Sequence, residues 1–320
     1  MRLDRRNLLA GAGAVLLSPM RPGHADTFPA RPLTLIVPLA AGSSVDVILR
    51  ALAAAAEKRL GPPIVVENRP GAGTTLAPGQ MAAASKPDGY TICQLGLPVL
   101  RAPALRKTTY NPSTDFTYII GAVQLVFGLV VRRGAPWATL GDLIDAARRS
   151  PSTITYGTPG VGSDTHVAME LIARQQGIRW VHVPFASGEV TALLGGHINA
   201  VASGSVWAPQ VNSGELRLLA TFGAQRTRYW PSVPTLIENA VEVVMEGTYG
   251  LVGPKGMDTA VVATLHDAFK AAMDQPGFVA AIANFHQEAR YLSSSEFRAF
   301  ALGQIERQRH LVEELGLRLN

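Results

Sequence analysis

The chain has 320 residues, 47% of them hydrophobic and 17% charged, with a formal net charge of +5. That balance suits a globular protein long enough for two cores, and it holds no basic run of the kind a nucleic-acid surface needs. The single cysteine, Cys93, excludes a disulfide framework and lies far from any N-terminal cleavage site where a lipid anchor would be attached.

Residues 1–25 read as an export signal outside the fold. Asp4-Arg5-Arg6-Asn7-Leu8-Leu9 carries paired arginines followed by leucines, which points to the twin-arginine route. The apolar run 8–17 is about 15 Å long as a helix, half of a hydrocarbon core of about 30 Å. It is therefore a signal core rather than a membrane span. Gly23-His24-Ala25 offers small residues for cleavage before Asp26. The signal holds Arg2, Arg5, Arg6 and Arg21 against Asp4, so the exported remainder is only weakly basic. The expected location is the periplasm, as a soluble protein.

The remainder opens with a short apolar run, Leu33–Val37, bounded by Pro32 and Pro38, which reads as a buried strand. A small-residue loop follows over 39–44. A helix then begins, with Val45, Ile48, Leu49, Leu52, Ala56 and Leu60 at helical spacing. Ser43 is its N-cap, Asp46 suits its first turn, and Gly61-Pro62 stops it. Residues 64–67 form a second strand, 68–73 a turn-rich loop, 74–84 a helix, and 90–95 a third strand after the turn Pro87-Asp88-Gly89. This alternation predicts a parallel sheet with right-handed crossovers. Residues 100–112 carry no clear period. Residues 116–123 and 127–131 are apolar enough for strands.

A second unit of the same kind follows: helix 140–149, strand 153–156, the Gly-rich loop Gly157-Thr158-Pro159-Gly160-Val161-Gly162-Ser163-Asp164, and helix 164–176 closed by Gly177. Strands are expected at 180–183, 198–203 and 217–221, with helices near 190–194 and 205–213. Beyond Arg226 come a Pro-rich loop, a strand near 249–252, and helices at 257–274, 277–284 and 294–316. No repeat of fixed period is visible.

Each unit thus offers a strand, a Gly/Ser loop and a helix N-terminus, and such junctions present unpaired N–H groups and partial positive charge. They suit a carboxylate or phosphate, and they are equally the make-up of an ordinary capped helix. Asp46 either shapes such a site or complements the helix dipole. His166 is a donor in its helix's first turn or a surface histidine. His182 on a strand and Arg69 between loops read as structural. The spacing Gly157-x-x-Gly160-x-Gly162 departs from a dinucleotide fingerprint. The seven histidines form no metal-binding pattern, and Cys93 lies within an apolar strand, so no metal, cofactor or thiol nucleophile is expected.

These residues carry a resemblance. The chain resembles the substrate-binding proteins of tripartite tricarboxylate transporters, the Bordetella uptake gene family, over essentially all of the exported remainder. The pattern Val65-Val66-Glu67-Asn68-Arg69-Pro70-Gly71-Ala72-Gly73 is its most specific signature. Pro38-Leu39-Ala40-Ala41-Gly42-Ser43-Ser44-Val45-Asp46, Pro87-Asp88-Gly89-Tyr90-Thr91, His182-Val183-Pro184, Leu194-Gly195-Gly196 and Val233-Pro234-Thr235 match in order.

The resemblance implies an α/β, two-lobed, type II periplasmic binding fold with a ligand cleft between lobes. The expected division is 26–124 for the first part of lobe 1, 125–222 for lobe 2 and 223–320 for the rest of lobe 1. It implies a monomeric receptor, not an enzyme, that binds a small organic acid or related amide and serves two integral membrane subunits. A periplasmic sensor subunit is the alternative reading; an exported hydrolase on the 157–164 loop lacks an identifiable base. Carried over by position, the ligand-binding residues are Leu39, Ala41, Gly42, Ser43, Ser44 and Asp46 from lobe 1, and Thr158, Pro159, Gly162, Ser163, Asp164 and His166 from lobe 2. Asn199 joins them, standing where the family often has Asp, which argues against a required ammonium group on the ligand. Further departures are Gly42-Ser43 for Gly-Gly, Pro38-Leu39 for Pro-Phe, and Phe185-Ala186-Ser187-Gly188 where Tyr-Lys-Gly is usual. Replacing Arg5 and Arg6 by lysine is expected to stop export, read as loss of the protein from the periplasmic fraction; an unchanged yield there would point to the general secretory route.

Overall fold

The computed structural model describes residues 28–185 and 187–316; the segment read as an export signal lies outside them. In chain order, β1 (Leu33–Val37), α1 (Ser44–Leu60), β2 (Ile64–Asn68), α2 (Leu76–Ala84), β3 (Thr91–Leu95), α3 (Leu97–Leu105) and β4 (Phe116–Leu125) build most of the first lobe. The second lobe holds β5 (Phe127–Arg132), α4 (Leu140–Arg149), β6 (Thr155–Thr158), α5 (Asp164–Gln176), β7 (Val181–Pro184), α6 (Glu189–Leu194), β8 (Ala200–Gly204), α7 (Ala208–Ser213) and β9 (Leu216–Thr221). The chain then completes the first lobe with β10 (Gly247–Pro254), α8 (Thr259–Ala272), α9 (Pro276–Asn284), β11 (Glu288–Leu292) and α10 (Ser294–Leu315).

The first sheet has the order β11-β4-β10-β3-β1-β2 and the second β7-β6-β8-β5-β9. The expected parallel pairing holds for β1 with β2 and β3, and for β6 with β7 and β8. It fails where the chain crosses between lobes. β4 leaves the first sheet at its inner edge, so the returning β10 enters at that same edge and runs antiparallel to both β3 and β4. β11 is also antiparallel, on the outer side of β4.

Apolar periodicity decides where the helices lie. α1 buries Ile48, Leu49, Leu52 and Ala56 completely against α8 and α9, and each large side chain so removed from water contributes about 1.5–3 kcal/mol. Two elements escaped that periodicity. α3 carries Pro98 in its first turn, where a proline is accommodated, and Pro103 just before its end; it is buried nearly all round, so it has no polar face to reveal a period. β11 is a half-exposed edge strand, Glu-Ala-Arg-Tyr-Leu, without an apolar run.

The segment between β9 and β10 packs beside the second sheet. Phe222 donates its N–H to Phe127 O, Thr221 pairs with Thr235, and Trp230 Nε1 donates to Asn212 Oδ1 at 3.1 Å.

Gly250 sits in β10 at a register shift against β4. A Cβ there would collide with the Ile120 carbonyl oxygen and lie 2.8 Å from Gly121 Cα. Both obstacles are backbone. Gly250→Ala is therefore expected to destabilise the fold by about 1–3 kcal/mol in urea unfolding, whereas wild-type stability would mean β4 and β10 are not this close.

Candidate ligand-binding cleft

The loop between β1 and α1 is braced from inside. Ser43 Oγ caps α1 by accepting the Asp46 N–H at 3.3 Å. Asp46 in turn accepts from Gly42 N at 2.8 Å, Asn68 Nδ2 at 2.8 Å and Arg50 Nε at 3.0 Å. Asn68 Nδ2 also donates to Leu39 O, at 3.0 Å. Burial pushes the Asp46 carboxyl up, but the bonds from Arg50, Gly42 and Asn68 outweigh burial and hold it below the ordinary aspartate range. The carboxylate is only 3% exposed. Asp46 thus ties loop, helix and β2 together.

The loop between β6 and α5 is built differently. Gly160 and Gly162 have φ of 141° and 76°, conformations open to glycine and poorly tolerated by other residues. Ser163 caps α5 through the His166 N–H at 3.3 Å. His166 Nδ1 accepts the Gly162 N–H at 3.1 Å, and its ring lies 4.0 Å from that of His182. His182 Nε2 shares a 2.7 Å hydrogen bond with Thr158 Oγ1. Arg101, wholly buried in α3, reaches this loop from the other lobe. It donates to Gly162 O at 2.7 Å, to Asp164 Oδ1 at 2.5 Å and to Gln308 Oε1 of α10 at 2.7 Å.

Between the lobes lies a cavity of about 350 Å³, within the range of small-molecule sites. Leu39, the turn 72–75, Pro98, Ala102, Leu105, Arg106 and Leu125 line it from one side; Phe127 and residues 159–165 line it from the other. The first turn of α5 is therefore part of its wall. Thr165 is 1% exposed, and its Oγ1 has no hydrogen-bond partner among the described residues. A buried hydroxyl without a partner is costly, and this one belongs to a residue facing the cavity.

Of the residues expected to bind ligand, Leu39, Pro159, Gly162, Ser163 and Asp164 line this cavity. Ala41, Gly42, Ser43, Ser44, Asp46, Thr158 and His166 do not. The Gly42 N–H is already taken by Asp46, and the Ser43 hydroxyl, the departure from Gly-Gly, caps α1. Ser44 Oγ accepts from Gln287 Nε2 at 3.3 Å. Thr158 and His166 brace the loop from behind. Asn199 lies away from this cavity: its Oδ1 accepts from Thr155 N at 2.8 Å and Thr155 Oγ1 at 2.9 Å, at the start of β6, whereas the cavity lies beyond its end. Arg69 forks onto Glu67 with two bonds of 2.8 Å. Cys93 is fully buried, and burial pushes its thiol up, so it packs as an uncharged group.

The cavity residues that sequence reasoning missed are the turn 72–75 and Arg106. The turn had a signal, since Gly71-Ala72-Gly73 lies in the family signature. An arginine in an unreadable stretch had none. Thr165 lies inside the stretch 158–166 carried over by position but was not singled out.

The sequence description that matches residues 48–317 is that of the tripartite tricarboxylate transporter family receptor. The chain belongs to this family. It is 42% identical over 98% of its length to a protein encoded in the gbd 5′ region of Cupriavidus necator, covering 99% of that protein. The periplasmic binding protein BugD superposes with a TM-score of 0.80 at 26% identity, over 91% of this chain and 99% of that one. Rpa4515 from R. palustris, solved with adipate, gives a TM-score of 0.81 at 26% identity, over the same shares. The family is one of receptors, not enzymes, and its two-lobed α/β binding fold is the fold of this chain. Among the described residues no helix is long and apolar enough to cross a membrane.

The neighbouring histidines make stability depend on pH. Burial, with the charge of Arg101 adding to it, lowers His166 to about 4; burial, with the charge of His166 adding to it, lowers His182 to about 4. In the unfolded chain both take up protons near pH 6.5. Between those values the unfolded state binds more protons, so stability is full above about pH 6.5 and is lost as pH falls toward 4. Thermal unfolding of the ligand-free protein should show Tm falling across that window, with a shallower slope in His182→Gln. An equal slope in the variant would contradict a neutral, half-buried His182.

Proposed function

We propose that the protein is an exported receptor that binds a small organic carboxylate between its lobes and presents it to a tripartite tricarboxylate-type membrane transporter. One observation carries the ligand class: the N-terminal turn of α5, with the half-buried Ser163, lines a largely apolar cavity, and the buried Thr165 hydroxyl of that turn has no partner among the described residues. The partial positive charge and open N–H groups of a helix N-terminus favour an anion, and a carboxylate oxygen would satisfy the Thr165 hydroxyl. The apolar wall suits a hydrocarbon body. The relative that holds adipate belongs to the same class of ligand.

Export by the signal at residues 1–25 and delivery to membrane subunits belong to this reading. So does a division into lobes at 26–124, 125–222 and 223–320, with ligand drawing the lobes together by hinge bending at the crossings near 123–128 and 221–226.

The test is a thermal-shift screen of protein that has been unfolded and refolded to strip bound ligand, across organic acids, amino acids, amides and sugars. At about 100 times its Kd a ligand adds about 2.7 kcal/mol, a rise of several degrees at about 2–4 °C per kcal/mol. Plain carboxylates should give it. Ser163→Ala should weaken the best acid about tenfold or more, since a charge-assisted hydrogen bond contributes about 1.5–3 kcal/mol. Thr165→Val should also weaken it while leaving the ligand-free protein as stable as before or more so, because an unpaired buried hydroxyl is removed. A shift by sugars or free amino acids alone would refute the ligand class.

A further inference from the structure

The charge of the cavity is unbalanced. Two charged side chains line it, Arg106 and Asp164. Asp164 is neutralised by the buried Arg101 at 2.5 Å. Arg106 is in none of the ion pairs found among the described residues. Its Nη2 donates to Ala72 O at 2.6 Å and Thr75 Oγ1 at 2.8 Å, while Nε and Nη1 have no protein partner there. A guanidinium carries five N–H donors in a fixed fork, so most of this one is open.

The group is also held in place. The turn that accepts from it runs through four successive positive φ values, 148° at Gly71, 47° at Ala72, 62° at Gly73 and 71° at Thr74. Residues with a side chain stay in that region only where their surroundings enforce it. Arg106 bonds Ala72 and Thr75 in that turn, so each fixes the other. Arg101 touches the α5 loop directly, and Arg106 follows five residues later, as the extended residue that ends α3. Pro98, Ala102, Leu105 and Phe127 supply apolar wall to the same cavity.

We infer that Arg106 is a specificity-determining residue that takes a second acidic group of the ligand, so that the receptor selects a short linear dicarboxylate over the monocarboxylate of equal length. This rests on the carboxylate reading of the cleft. One carboxylate meets Ser163 and Thr165 at α5; the other meets the open edge of the Arg106 fork, where planar, bidentate recognition is available.

Calorimetric titration of refolded, ligand-free protein with matched pairs from four to eight carbons, such as hexanoate against adipate, tests it. The wild type should favour the dicarboxylate at least about tenfold at its best length. In Arg106→Gln that ratio should fall about tenfold or more, and Arg106→Lys, which keeps the charge and loses the fork, should fall in between. Lys107→Gln, which removes the neighbouring exposed charge outside the cavity, should preserve the ratio, which separates the Arg106 fork from the general charge of this face. Equal losses for both acids in Arg106→Gln, or a wild type that does not prefer the dicarboxylate, would overturn the inference and leave the carboxylate reading standing. Failure of every acid in the series to bind would overturn the reading itself.

Discussion

A single buried guanidinium ties the two lobes to the ligand loop. Arg101 has no exposed surface, so its charge must be met inside the protein. It is met by Asp164 and the Gly162 carbonyl of one lobe and by Gln308 of the other. Losing one partner of a buried pair typically costs about 3–5 kcal/mol, so α3, α5 and α10 keep their places together. The Gly162 carbonyl turns to Arg101 while its N–H turns to His166. Both polar groups of that peptide position are thereby engaged, and the loop leads into the first turn of α5 with little freedom left.

The two junctions look alike in sequence and act differently in the fold. In the first lobe a carboxylate, Asp46, stands beside its helix N-terminus and accepts the loop's own N–H. That end is filled. In the second lobe the acidic residue of the first turn, Asp164, is drawn away by Arg101, and a hydroxyl is left over at Thr165. The difference lies in which side chain the carboxylate finds: Arg50, one turn along its own helix, or Arg101 across the cleft. The proposed reading places an anion from outside at the second end.

Much of the fold was legible because local rules acted alone. Ser43 announced the cap of α1, whose period agreed with its buried face, and the bounds of α5 followed from the Gly-rich loop before it and Gly177 after it. The parallel cores of both sheets followed from strand–helix alternation. The antiparallel β10 did not, since its direction depends on where a chain returning from the other lobe must enter. Of the residues lining the cavity, Pro159, Gly162, Ser163 and Asp164 had been reached by position from the family resemblance. Asn199 could not be placed, because whether an asparagine faces a ligand or Thr155 depends on which end of β6 it meets. Arg101 and Asp164 are 63 residues apart in sequence, and nothing local in either signals the other. Thr165 stands out only because its hydroxyl has no partner among the described residues, a property that exists only after folding.

The account rests on an anion at the N-terminus of α5. It is tested most directly by amide ¹H–¹⁵N NMR of the ligand-free protein titrated with an organic acid shown independently to bind. The largest shifts should fall on the backbone amides of Ser163, Asp164 and Thr165, with smaller ones along the facing turn 72–75. Saturation of binding with these amides unmoved, and shifts gathered elsewhere, would contradict it.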